Sequence, residues 1–425
     1  MSLILSVVVS FSSGLAAESG DFSQTEFLNG DARADAPELA YRGDYGVGVR
    51  TVNISNPNQL DMKNYDKLPN RYDRPLTLEV WYPATIPAGA VQLTRYSDVL
   101  GQGADNPERP LIPFTFPGRA LRDAKVQAGE TFPLIIVSHG YAGSRVLFSY
   151  LTENLASKGY VVVAIDHTDS THADATAFSS TLVNRALDIN FVLDYMAEGI
   201  FAPIVDADNA ALIGYSMGGY GSLIAVGAGV SKTADVNNIV PGNEMEKFQV
   251  GNPNYRNFLD PRIKAVVPMA PWGNGANVKN RTWDPAGLKG ISVPSLFIVG
   301  NMDRTSGFSG VEFLFKNAVN SDRYMLVYQN GIHGIAVNPP PPIASRYFRE
   351  YMHYQEPVWD NRRCNNINQH FITAFLGIHL KGQKEYQPYL DVITMANDAE
   401  TNTPEYWKGF KPWTAVGLEL HHLEP

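Results

Sequence analysis

Two hydrophobic regimes run along the chain. Residues 47–52 and 76–83 alternate apolar and polar positions, which predicts strands with one face toward solvent, paired antiparallel. Further on come short unbroken apolar runs at 133–138, 160–165, 210–213, 263–269, 294–299 and 324–328. Runs of that length with no polar face suit strands in the middle of a parallel sheet. Between them the spacing turns helical. Residues 145–158 read as an amphipathic helix closed by Gly159. Residues 180–198 carry Leu182, Ala186, Ile189, Leu193 and Met196 on one side, and 309–319 and 366–380 follow the same period. Arg185 and Asp188, three apart, read as an exposed pair of little weight. Alternation of strand and helix predicts an α/β fold, with a mostly parallel sheet of about eight strands and helices on both faces.

Two stretches break the pattern. Residues 84–132, with Pro107, Pro110, Pro113, Pro117 and Gly118, read as an insertion expected to help wall a cleft. Residues 230–259, with Pro241, Gly242, Gly251 and Pro253, read as a second insertion or a cap. Residues 18–45 are polar and irregular, a mobile leader or an arm across the domain. The catalytic domain is expected over 46–382, with 383–425 as an extension packed on it.

The 425 residues are 44% hydrophobic and 11% aromatic, enough for a large globular core. A net charge of −9, without a basic run, argues against nucleic acid or an anionic membrane as partner. Cys364 is the only cysteine, so the chain has neither an internal disulfide nor a cysteine metal site. Its nine histidines are scattered and no H-E-x-x-H is present, which speaks against a metal enzyme. Residues 3–11 form an apolar run too short to span a bilayer, followed by small residues at 12–17. That order predicts a signal peptide over 1–17 and export, although no Lys or Arg precedes the apolar run. Beyond Ala17 no stretch is long and apolar enough for a membrane helix, so the mature chain is expected to be soluble.

The chemistry centres on Gly214-Tyr215-Ser216-Met217-Gly218, a G-x-S-x-G between an apolar strand and a glycine-rich helix start. A corner that tight leaves no room for side chains at 214 or 218, and it lifts the Ser216 hydroxyl to the head of a helix. A serine needs a histidine base, and the base needs a carboxylate to orient it. In this architecture the order is serine, acid, histidine. Asp303, just past the strand ending at Val299, and His333, just past the last strand, supply that order. Asp284 is the next choice for the acid. Asp260 introduces a strand, and Asp322 precedes one and belongs at the opposite edge. His353, His370 and His379 lie on helical sequence and read as packing or surface residues. The oxyanion hole requires two backbone N–H groups. Met217 supplies one and Tyr141 the other, with Ala142 as fallback. His139 reads as organising the loop by hydrogen bonding, outside the triad.

Five segments together resemble the α/β-hydrolase superfamily: Ser138-His139-Gly140-Tyr141-Ala142-Gly143-Ser144, Gly214 to Gly219, Ala270-Pro271-Trp272, Gly300-Asn301-Met302-Asp303 and Gly331-Ile332-His333-Gly334. Within it the chain is most similar to bacterial cutinases, polyester hydrolases and platelet-activating-factor acetylhydrolase-like esterases, often labelled dienelactone hydrolase-like. Residues 46–50 and 78–83 and the Asp166-His167 strand end resemble the acetylhydrolase-like members. The likeness spans about residues 46–335. It implies Ser216, Asp303 and His333 as the triad, Tyr141 and Met217 as the oxyanion hole, and Tyr141 with Trp272 as an aromatic pair gripping the acyl group. It implies no cofactor. Ser216 departs from true dienelactone hydrolases, which use cysteine, and Cys364 alone departs from cutinases with a C-terminal disulfide. The expectation is a secreted serine carboxylic ester hydrolase for short- to medium-chain esters, with polyesters as an extension. Its rivals are an amidase or peptidase, an acyltransferase, and a non-catalytic binding module on the same scaffold. A histidine base implies activity that falls as His333 is protonated.

Overall fold

A computed structural model of the chain describes residues 27–275, 279–400, 403 and 406–425. The expected signal peptide and residues 18–26 lie outside them. In chain order come β1 (Gly46–Leu60), β2 (Arg71–Thr85), β3 (Thr94–Leu100), β4 (Ile112–Gly118), the short β5 (Leu121–Arg122) and β6 (Lys125–Val126), then β7 (Phe132–Ser138). Next are α1 (Ser149–Ser157), β8 (Val161–Asp166), α2 (Phe178–Glu198), β9 (Val205–Tyr215) and α3 (Met217–Ala225). After α4 (Val236–Ile239) and α5 (Pro253–Phe258) come β10 (Ile263–Met269), α6 (Pro285–Leu288), β11 (Ser295–Gly300), α7 (Phe308–Asn317) and β12 (Arg323–Tyr328). The chain closes with α8 (Phe348–Tyr354), α9 (Asn361–Lys381) and β13 (Leu418–Leu423).

The main sheet has eleven strands among the described residues, in the order β13-β12-β11-β10-β9-β7-β8-β2-β1-β5, with β6 on β2. From β8 to β12 every pairing is parallel, while β2 runs antiparallel to both β8 and β1, as the alternating pattern predicts. The eight expected strands are all present. Successive side chains point to opposite faces, so each strand feeds two cores. Ile135, Val137, Ala211, Ile213, Val267 and Ile298 pack toward α1 and α9. Leu134, Ile136, Leu212, Val266, Phe297 and Val299 pack toward α2, α3 and α7. Among the described residues no helix is long and apolar enough to cross a membrane.

Three features differ in detail from what the sequence pattern predicts. The helix expected over 145–158 is shorter, and all nine residues of α1 are buried. Its polar side is covered by the N-terminal arm and the 84–132 segment: Asn154 donates to Ala40 O at 2.8 Å, and Glu153 accepts from Tyr96 at 2.7 Å. The 84–132 insertion contains a two-stranded antiparallel sheet, β3 with β4, whose prolines Pro113 and Pro117 are tolerated in a ribbon that has only edges. Residues 383–425 are more than an extension packed on the domain, because β13 pairs antiparallel along the whole of β12. It covers an edge that would otherwise offer unpaired backbone groups. The 230–259 segment packs on the flank of α2 and α3, where Val236, Met245 and Phe248 are buried and Tyr255 donates to Ile224 O at 2.7 Å.

Leu420→Ala, at a β13 position only 3% exposed, is expected to cost about 2–5 kcal/mol, read as a lower midpoint in urea unfolding. An unchanged midpoint would mean that β13 contributes little to the domain.

Candidate active site

Where β9 passes into α3 the backbone turns at Ser216 with φ 53° and ψ −114°, a left-handed conformation that a serine adopts only when its surroundings impose it. Here they do. A Cβ on Gly218 would lie 1.9 Å from Ser138 O, and one on Gly214 would lie 2.3 Å from Gly218 O. Ser216 N donates to Met269 O at 2.9 Å, and Ser216 O accepts from Tyr220 and Trp272 N–H, each at 3.0 Å. The side chain thus stands at the head of α3, where the first N–H groups, that of Met217 included, have no partner within the helix.

Asp303 and His333 are brought together across two adjacent strand ends. Asp303 Oδ2 lies 2.8 Å from His333 Nδ1, and Asp303 Oδ1 accepts the N–H groups of Thr305 and Ser306 at 2.8 and 3.0 Å. Burial acts to raise the Asp303 pKa, but the imidazole and those two N–H groups outweigh it and hold the carboxyl below its usual range. The Tyr215 ring lies 4.9 Å from the His333 ring, and Tyr215 donates to His333 O at 3.1 Å, so the residue before the serine braces the imidazole beside the elbow. Ser216 Oγ makes no hydrogen bond to a described residue, and contacts of this kind are often loose without substrate. The competing acids are occupied elsewhere. Asp284 caps α6 through Gly287 N at 2.9 Å, Asp260 holds Arg262 at 2.9 Å, and Asp322 pairs with His422 at 2.7 Å. His353 and His370 are packed in α8 and α9 and His379 lies edge-on to Phe375, as their helical setting predicts.

The strand end at β7 carries the other arm of the site. A Cβ on Gly140 would lie 3.3 Å from Ser216 Cβ, so the loop runs directly past the serine. His139 is fully buried and organises this loop as its position suggests. Its Nε2 accepts His167 N–H at 3.2 Å, which leaves the proton on Nδ1 to be donated to Gly140 O at 2.6 Å. Burial, with Arg185 close by, keeps its pKa well below the usual histidine value. The Arg185–Asp188 expectation is overturned. Both are buried, and Asp188 is held by Arg74 at 2.9 and 3.0 Å and by His167 Nδ1 at 2.9 Å. Arg185 instead reaches the β7 loop.

Tyr141 and Trp272 are half-buried and do not touch. Phe178 stands between them, edge-on to each at 5.4 and 5.6 Å, making a row of three aromatics beside the elbow. Nothing local marks Phe178 for this place, since it opens α2 far from both in sequence. Trp81 and Trp407 pack in the interior, whereas Trp413 is 67% exposed. Sequence reasoning also missed Glu356, which accepts Ile332 N–H at 2.9 Å just ahead of His333. Burial, with Asp303 nearby, pushes its pKa up to about 7. Phe114, Phe116 and Pro117 of the 84–132 segment line a cavity of about 170 Å³ with prolines 339–342, and none of Ser216, Asp303 or His333 borders it. Among the described residues no group of three or more His, Cys, Asp or Glu side chains is arranged to hold a metal ion.

Comparison with known proteins places these features in a family context. Residues 115–196 match the family model described as platelet-activating factor acetylhydrolase, isoform II. A cutinase of Thermobifida alba is 27% identical over 209 residues, 48% of this chain and 54% of that one. A platelet-activating factor acetylhydrolase of Bos taurus is 38% identical over 59 residues, 14% of this chain and 13% of that one. A solved ferulic acid esterase from Streptomyces cinnamoneus superposes with a TM-score of 0.55 at 19% identity, covering 82% of this chain and 94% of that one. The chain spans about half the length of the cutinase it matches, and the structural likeness concerns the fold.

Two variants probe this geometry. Gly218→Ala drives a methyl into Ser138 O, so a destabilisation of at least about 1–3 kcal/mol is expected in chemical denaturation; wild-type stability would contradict the packing. For Glu356 the folded pKa of about 7 exceeds the unfolded value of about 4.3, so its stabilising contribution is full below the unfolded value and disappears as pH rises through 7. Melting temperatures of wild type and Glu356→Gln should therefore diverge between pH 5 and 8, with wild type losing ground. Parallel profiles would show that the carboxyl is ionised throughout.

Proposed function

We propose that the chain is a serine carboxylic ester hydrolase of the branch that holds the cutinases and the platelet-activating-factor acetylhydrolases, exported from the cell, working on short- to medium-chain esters and on polyester surfaces; its similarity to those proteins supports the reading. The observation that carries this reading is the 2.8 Å bond from Asp303 to His333 Nδ1 beside a Ser216 held at positive φ. With the Nδ1 proton committed to Asp303, Nε2 is the free base. Ser216 Oγ attacks the ester carbonyl and passes its proton to His333, while Asp303 stabilises the imidazolium. The N–H groups of Met217 and Tyr141 receive the oxyanion. The alcohol leaves with the proton from His333, and an acyl-enzyme remains. Water then attacks the acyl carbonyl, giving a proton to His333, and the acid is released with Ser216 restored.

The aromatic row of Tyr141, Phe178 and Trp272 offers flat apolar surface for the acyl part, which suits alkyl or aromatic acids better than charged ones. The apolar run at residues 3–11 supports export. An amidase shares the same chemistry, whereas an exopeptidase needs a charged anchor for a chain terminus, and the aromatic row carries none.

Hydrolysis of p-nitrophenyl esters from acetate to palmitate, with an emulsified polyester as final substrate, tests the proposal. Ser216→Ala and His333→Ala are expected to lower kcat by at least about 10⁴-fold, and Asp303→Asn by about 10⁴-fold, with melting temperatures close to wild type. Turnover retained in Ser216→Ala would refute the nucleophile. Absence of turnover on every ester by folded wild type would refute the ester hydrolase itself.

A further inference from the structure

A buried guanidinium normally rests on a carboxylate. Arg185, only 1% exposed on α2, does not. Asp188, one turn further on, is committed to Arg74 and His167, and no described carboxylate forms an ion pair with Arg185. Its donors go to the loop behind the elbow: Nη1 to His139 O and to Ser138 Oγ at 3.2 Å, Nη2 to Gly140 O at 3.0 Å and to Ser170 Oγ at 2.5 Å. Burial draws its pKa down to about 9, which still leaves it charged at neutral pH. The stem reaches the loop over α3 at Gly221, where a Cβ would lie 2.6 Å from Arg185 Cβ.

The choice of carbonyls matters. Gly140 O and Tyr141 N–H belong to one trans peptide unit, so they point in opposite directions. Gly140 O accepts two hydrogen bonds from the interior, from Arg185 at 3.0 Å and from His139 Nδ1 at 2.6 Å. Drawing that oxygen inward turns the Tyr141 N–H outward, toward the serine side of a loop whose Gly140 runs against Ser216. A cation on the carbonyl also polarises the peptide and strengthens its N–H as a donor. The neighbouring peptide is gripped in the same way through His139 O.

We propose that Arg185 is a positioning residue for the oxyanion hole: from behind the loop it fixes and polarises the peptide that presents the Tyr141 N–H. The inference rests on the serine hydrolase reading above and adds to it a buried cation that never meets the substrate. The Ser138–His167–Asp188–Arg74 lattice holds the loop and its cation in place. His167 Nε2 accepts from Ser138 Oγ at 2.9 Å, and burial keeps that imidazole neutral with a pKa of about 4.

The test compares wild type, Arg185→Met and Arg185→Lys for kcat and KM on p-nitrophenyl butyrate and for inhibition by an alkyl trifluoromethyl ketone. That ketone's adduct with the serine carries an oxyanion in the hole, whereas the bound ester does not. Arg185→Met is expected to lose about 10²-fold in kcat with KM within threefold, and to bind the ketone about 10²-fold more weakly. Arg185→Lys should recover part of both losses, since a lysine keeps the charge but cannot span two carbonyls. A folded Arg185→Met with kcat within threefold of wild type overturns the proposal. So does a kcat loss without a matching loss of ketone affinity. If Arg185→Met does not fold, Arg185→Lys decides: a parallel loss of about tenfold in kcat and ketone affinity supports the role, and unchanged values overturn it. Wild type without ester turnover would instead sink the serine hydrolase reading on which the role depends.

Discussion

The site depends on one steric constraint, the approach of the Ser216 turn to the end of β7. Ser138 O sits where a side chain on residue 218 would be, and Gly218 O sits where one on residue 214 would be. Only with both positions bare can β9 turn into α3 within one residue and leave Ser216 at positive φ. That same closeness sets the β7 loop against the serine, so the proposed nucleophile and the loop proposed to receive the oxyanion are parts of one packed object. The cost of the strained residue is offset by the surrounding sheet, whose two cores clamp β9 from both faces.

Charge is arranged around this object in two layers. On the His333 side the buried Asp303 is held ionised by its N–H donors and His333, as suits the proposed stabiliser of a transient imidazolium. Behind the loop His139 and His167 are both kept neutral by burial, and the fixed positive charge is Arg185. The interior thus presents to the loop a cation that does not titrate near neutrality, next to imidazoles that do not compete for protons with His333. Among the described residues Glu356, drawn up to about 7, is the carboxyl beside the His333 loop poised to change charge in the physiological range.

How much of this was legible in the sequence follows from range. The elbow, Asp303 and His333 are each marked locally, by glycines or by the end of an apolar run, and strand order then brings them to one edge. His139 could be read as a loop organiser because it opens the loop itself. Arg185 could not, since three-residue spacing suggests a pair with Asp188, and only the tertiary structure shows each taken by other partners. Glu356 and Phe178 lie far along the chain from the groups they serve and carry no motif. The β3–β4 ribbon was hidden by prolines that a ribbon edge tolerates. β13 was legible in principle, through Leu418 and Leu420, but a single alternating pair, with the third leucine, Leu423, out of phase, is too short a period to stand out.

A serine nucleophile activated by His333 can be trapped covalently. Incubation with an alkyl fluorophosphonate followed by peptide mass spectrometry should show one phosphonyl group per chain, on Ser216, with labelling slowed by orders of magnitude in His333→Ala. A folded chain that takes no label, or takes it on a serine other than Ser216, would contradict the account.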